Sequence, residues 1–185
     1  MGLYVHSLGE IPAGAERAYY VYLLDYGWKE PLGSAVRQNV PRMVDLASRS
    51  NAVVIQGPQG VHFEDEVLSW HHVNGKDAKD ILPAILVTTR HPSTFSESPM
   101  ARKSKKESRD ALLLLPLRKV CKSPDAVIEL IQRVFEDIKS KQPLSKFRAG
   151  KRMRRGIAGA LVDAVILQPK IGGIGFDLKK FFGGG

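Results

Sequence analysis

Apolar positions along this chain follow two alternating patterns, and their order predicts an α/β protein. Unbroken runs of β-branched, aliphatic or aromatic residues stand at Ala18–Leu24, Ala52–Ile55, Ile81–Thr89 and Ala111–Leu117. Without polar alternation, each reads as a strand covered on both faces. Ile81–Thr89 is taken as the central strand, with Pro83 at its entrance, where a missing N–H is tolerated. Pro116 predicts an edge position for the last run, and Leu3–Leu8 reads as a short edge strand. Between these runs the period changes to three and four. Val36, Val40, Met43 and Ala47 mark one buried helical stripe, opening near Ser34 and kinked by Pro41 or delayed by it to about Asn39. Phe63–Val73 reads as a short helix with Val67 and Trp70 inward. The clearest helix start is Ser123-Pro124-Asp125: a capping hydroxyl, a preset φ and a negative charge at the positive end of the dipole. Val127, Ile128, Ile131, Val134, Phe135 and Ile138 then line its inner face.

Punctuation divides the chain in two. Residues 1–141 read as an α/β globular domain, interrupted by a Ser-, Pro- and Lys-rich stretch at 92–109 that is expected to be a mobile basic loop. Residues 142–185 read as an extension, first basic, then apolar and glycine-rich.

Charge sharpens this division. The 185 residues carry a formal charge of +9, and eight Lys/Arg with no acid fall between Lys139 and Arg155. Without those eight, 20 basic residues face 19 acidic ones, so the body is nearly neutral. A short basic segment points to an anionic partner, nucleic acid or a membrane surface. Lys146, Arg148, Lys151, Arg152, Arg154 and Arg155 are the contacts expected, with Phe147 available to stack on a base. The following Gly156, Ala160 and Ala164 form a small-residue stripe of the kind that permits close helix contact, so a protein partner or homo-oligomer is also expected. The only cysteine, Cys121, excludes an internal disulfide and fits a reducing cytoplasm. Met1–His6 lack the basic and apolar regions of a signal peptide, and no window reaches the ~18–20 apolar residues of a membrane span. A cytoplasmic location is expected, with membrane association through the extension as the alternative.

Candidate chemistry is sparse. His62, Glu64, His71 and His72, with Asp65 and Glu66 between, are the densest potential metal ligands, but their spacing matches no established site. His91 follows the central strand and Asp25 ends the first, at positions where α/β sheets bind ligands. Together they suggest a base and its orienting acid, with Ser34 or Ser93 as nucleophile. No glycine pattern matches a phosphate-binding loop, and no cofactor is expected.

The order strand, kinked helix, strand, short helix, proline-led strand, strand, helix resembles the thioredoxin-like fold. Asp25-Tyr26-Gly27-Trp28 looks like the aromatic-rich turn of that family, and Leu82-Pro83-Ala84 like its cis-proline. Counting back from the kinking Pro41 places Gly33-Ser34-Ala35-Val36 where Cys-x-x-Cys would stand. The resemblance covers roughly residues 18–139 and implies a mixed central sheet flanked by helices. Both cysteine positions hold other residues, so dithiol chemistry has neither its nucleophile nor its resolving partner. The resemblance therefore implies a member used for binding. Gln168–Lys180 resembles short tails of modules in bacterial antiphage systems. The function expected is a non-catalytic adaptor; the alternatives are a small hydrolase or nuclease-like enzyme using His91 and Asp25, and a membrane-active effector acting through the extension.

Overall fold

A computed structural model of the protein describes residues 1–12, 14, 16–58, 63–71, 73–74, 78–92, 112–149, 165–167 and 176–177. The strands are β1 (Gly2–Tyr4), β2 (Tyr19–Leu24), β3 (Ala52–Gln56), β4 (Val73–Asn74), β5 (Ala84–Thr88), β6 (Leu112–Pro116), β7 (Val165–Leu167) and β8 (Phe176–Asp177). The helices are α1 (Pro31–Gln38), α2 (Val40–Ser48), α3 (Phe63–Trp70), α4 (Ala78–Ile81), α5 (Leu117–Val120) and α6 (Pro124–Lys139).

Six strands form one mixed sheet in the order β1-β3-β2-β5-β6-β7. β1 and β2 run parallel to β3; β5 is antiparallel to β2, β6 to β5 and β7 to β6. Because successive side chains point to opposite faces, the unbroken apolar runs feed two cores. Tyr19, Val21, Leu23, Ile85, Val87, Leu113 and Leu115 face Val36, Met43, Val127, Ile131, Val134 and Phe135. Tyr20, Tyr22, Leu24, Leu86, Leu112 and Leu114 face Leu8, Phe63, Val67 and Ile81. The architecture is α/β, with helices on both faces. β4 and β8 pair separately, in parallel.

Local chemistry explains where expectation and structure part. The first helix begins at Pro31 rather than Ser34, since proline supplies the φ of a first helical position. Pro41 cannot donate to the preceding turn, so the stripe divides into α1 and α2. Asn39 sits between them and its Nδ2 donates to Ala35 O at 2.8 Å. Ile81 closes α4 instead of joining the central strand, and β5 starts only after a cis Leu82–Pro83 peptide. β6 is not an edge strand, because β7 lies beside it. The described part of β7 pairs with Leu112–Leu114, and among the described residues no strand lies beside Pro116 on that side. In α6 the Ser123 Oγ accepts from Ala126 N at 3.3 Å as its cap, and Leu130 is buried where Ile128 is only half-buried.

The chain beyond residue 142 does not leave the body at once. Leu144, Phe147 and Ala149 are buried in the core that holds α6, and Tyr19 Oη donates to Gln142 O at 2.8 Å. The expected basic loop at 92–109 lies outside the described residues from position 93 onward.

Candidate functional site

Strand directions bring Asp25, residues 33–36 and Pro83 to one end of the sheet. The C-terminal ends of β2, β3 and β6 and the N-terminal end of β5 all lie there. Asp25 leaves β2 at this end and shapes the turn into α1. Its Oδ1 accepts from Gly27 N at 2.9 Å and Trp28 N at 3.0 Å. Such a side-chain turn holds Trp28 at φ 55°, a left-handed conformation that a bulky residue adopts only when its surroundings impose it. The other oxygen, Asp25 Oδ2, is buried without a hydrogen-bond partner. It lies against Gly33, where a Cβ would come within 2.0 Å of it. Glycine is therefore required at this point in α1 by close approach.

Two further contacts close this end. Leu117 N donates to Pro83 O at 2.8 Å, joining the start of α5 to the entrance of β5. Next to it, the Arg118 guanidinium makes a forked ion pair with Glu30, immediately before α1. Arg118 holds the Glu30 carboxyl below the usual range, chiefly through those hydrogen bonds. Tyr26, partly exposed, donates to Asp65 Oδ1 at 2.7 Å. Residues 33–36 and Pro83 thus share one end of the sheet, and no thiol stands among positions 33–36. Cys121 is buried beyond α5, and burial pushes its thiol up to about 11.

No family model, curated protein or solved structure matches this chain.

The candidates read from the sequence fare unequally. His91 and Asp25 are not brought together. Thr88 lies opposite Tyr20 because β5 is antiparallel to β2, so His91 sits beyond the far end. The strand from Tyr20 to Asp25 alone spans roughly 16 Å at about 3.3 Å per residue. His91 packs edge-on against Tyr20, with its Nε2 3.2 Å from Pro12 O. Ser34 Oγ accepts from Gln38 Nε2 at 3.1 Å within α1, and Ser93 lies outside the described residues. A base, its orienting acid and a nucleophile are therefore not assembled among the described residues.

Of the metal candidates, His62 and His72 lie outside the described residues. Glu64 and His71 are both buried on or just after α3. The His71 Nδ1–H donates to Val67 O at 2.7 Å, and the ring packs edge-on against Tyr22 at 5.1 Å. Among the described residues, no three His, Cys, Asp or Glu side chains converge on a common point.

The basic segment is described only at its root. Lys146 is exposed. Arg148 is already engaged: Nε donates to Asp137 Oδ1 at 2.8 Å, Nη2 to Glu136 Oε2 at 2.8 Å, and its backbone N to Asp137 Oδ2 at 2.7 Å. Phe147 is fully buried against Tyr19, with ring centroids 6.0 Å apart, so it is not available to stack on a base. Lys151, Arg152, Arg154 and Arg155 lie outside the described residues. A cleft of about 400 Å³ beside Arg148 is lined by Glu129, Gln132, Arg133 and Glu136, and its charges are paired with one another. Among the described residues no helix is long and apolar enough to cross a membrane.

Missed in the sequence were the Arg118–Glu30 pair and the buried state of Glu64. Arg118 and Glu30 are 88 positions apart, and no local pattern links them. Glu64 carried a weak sign, falling between Phe63 and the Val67 stripe at the start of a short helix.

Proposed function

We propose that this chain is a non-catalytic binding module on a thioredoxin-like scaffold, engaging an anionic partner through the basic segment that follows α6. The strand order β1-β3-β2-β5-β6, the proline-divided first helix and the proline-led β5 support that scaffold. The single observation that carries the reading is the composition of the sheet end described above. Gly33-Ser34-Ala35-Val36 replaces a dithiol, and the one cysteine is buried with its thiolate disfavoured. Redox exchange has no nucleophile there, which leaves recognition.

Lys151, Arg152, Arg154 and Arg155 are the partner contacts, with Lys146 beside them; Arg148 serves as the anchor that ties the segment to α6. A nucleic acid is the partner tested first, because clustered arginines neutralise successive phosphates and release their counterions. The test is the affinity of the full chain for a DNA duplex across a salt series, with Lys151, Arg152, Arg154 and Arg155 changed to Ser. Substitution is used rather than truncation because Leu144, Phe147 and Ala149 belong to the core. Expected is a steep loss of affinity with salt and a shallower slope in the variant. Equal slopes for the two proteins would overturn the assignment.

A further inference from the structure

The turn that follows α6 is closed by one carboxylate. Lys141, at φ 52°, reverses the chain, and Gln142 N donates back to Asp137 O at 3.0 Å. Leu144, Phe147 and Ala149 then enter the core. Asp137, itself only 2% exposed, takes hold of Arg148 at two points: the backbone N donates to Oδ2 at 2.7 Å and Nε donates to Oδ1 at 2.8 Å. A buried carboxylate with two such donors fixes both the chain and the side chain of Arg148. The outer bond from Nη2 to Glu136 joins exposed groups and adds little. Lys151 stands three residues further on, so at most ~11 Å of chain separates it from the held position.

We infer, on the binding reading proposed above, that Asp137 is a positioning residue for the basic segment: by holding Arg148 it keeps residues 142–149 packed, so that an anion binding at Lys151, Arg152, Arg154 and Arg155 need not order them. Asp137 carries the wrong charge for such a task. An acid at the root of an anion-binding segment repels the anion, so charge alone makes its removal favourable to binding. Position makes its removal unfavourable. Without that carboxylate, Arg148 N and Nε lose their acceptor and the segment opens more often, and its freedom must then be given up again on binding. The two effects have opposite signs, and a measurement of the sign separates them.

The test uses the full chain and a DNA duplex across the salt series, with Asp137→Asn beside Glu129→Gln. Glu129 pairs with Arg133, so its change removes an equal charge from α6 without touching Arg148. Expected for Asp137→Asn is binding weaker by about tenfold, the equivalent of ordering one residue afresh, with the salt slope of the parent, since no phosphate contact is lost. Glu129→Gln should bind at least as tightly as the parent. Exchange of the Lys146 and Phe147 amides, which donate to Pro143 O and Leu144 O, should quicken about tenfold in Asp137→Asn while the amides of α6 keep their protection. Binding that is unchanged or tighter in Asp137→Asn overturns the positioning role. So does a slope steeper by about 0.9, which would mean that the freed Arg148 had gone to a phosphate. In the parent, the Arg148 Nε–H resonance should stay in place when DNA saturates the chain, and its displacement overturns the inference even if the variant fails to fold. A parent without salt-dependent binding refutes the binding reading and the positioning role with it; a variant that binds as a binding parent does refutes the positioning role alone.

Discussion

Phe147→Ala separates the two roles open to that residue more sharply than any other single change. The phenyl ring is wholly buried, packs on Tyr19, and lies in the core shared by α6 and one face of the sheet. Removing it deletes about six carbons of well-packed volume, a change that costs about 3–5 kcal/mol in such settings. For a chain of this length each kcal/mol lowers Tm by about 2–4 °C, so a fall of about 6–20 °C is expected. Urea unfolding followed by circular dichroism is the assay. The midpoint should drop with little change in slope, since the surface exposed on unfolding is nearly the same. Below the new midpoint the variant should bind DNA as the parent does, because its basic side chains are untouched. The reverse outcome, a stability change under about 1 kcal/mol with a clear loss of DNA affinity, would mean that Phe147 faces a ligand and that the packing described here is wrong.

Other expectations follow from the sheet end. Gly33→Ala gains about 1 kcal/mol of helix propensity but places a methyl 2.0 Å from Asp25 Oδ2. A net loss of about 1–3 kcal/mol is expected from the overlap, and a stabilised variant would refute the close approach. Glu64 has a pKa raised in the folded state, so its contribution to stability is greatest below the unfolded value and is lost as pH rises through the folded one. Urea midpoints should therefore decline over that window in the parent and stay flatter in Glu64→Gln; a parallel decline contradicts the assignment. Native Cys121, with its thiol pushed up to about 11, has a thiolate fraction of about one in a thousand at pH 8. Alkylation by iodoacetamide should be slow until urea unfolds the chain, and rapid native labelling would show that the thiol is accessible.

Much of the fold was legible because its signals are local. Ser123-Pro124 declares α6 through groups that bond within one turn, and Pro41 divides the first helix by lacking its own N–H. The unbroken runs at Tyr19–Leu24 and Ala84–Thr88 disclose burial on both faces, since either face would otherwise show polar residues. The candidate site was less legible. Asp25 was marked as a strand-end acid, but its partner depends on strand direction, which no run of apolar residues encodes.

The amino-acid sequence by itself determined the order of the main strands and longer helices, the lack of a dithiol and the concentration of positive charge from the end of α6 onward. Only the tertiary structure decided which of those residues meet. Antiparallel pairing of β2 with β5 sent His91 to the far end from Asp25. Packing on Tyr19 turned Phe147 from a stacking surface into core, and Asp137 engaged Arg148 before any outside anion. Contacts between distant residues depend on how elements are oriented and layered, whereas patterns along a chain report only on neighbours within a turn or a strand.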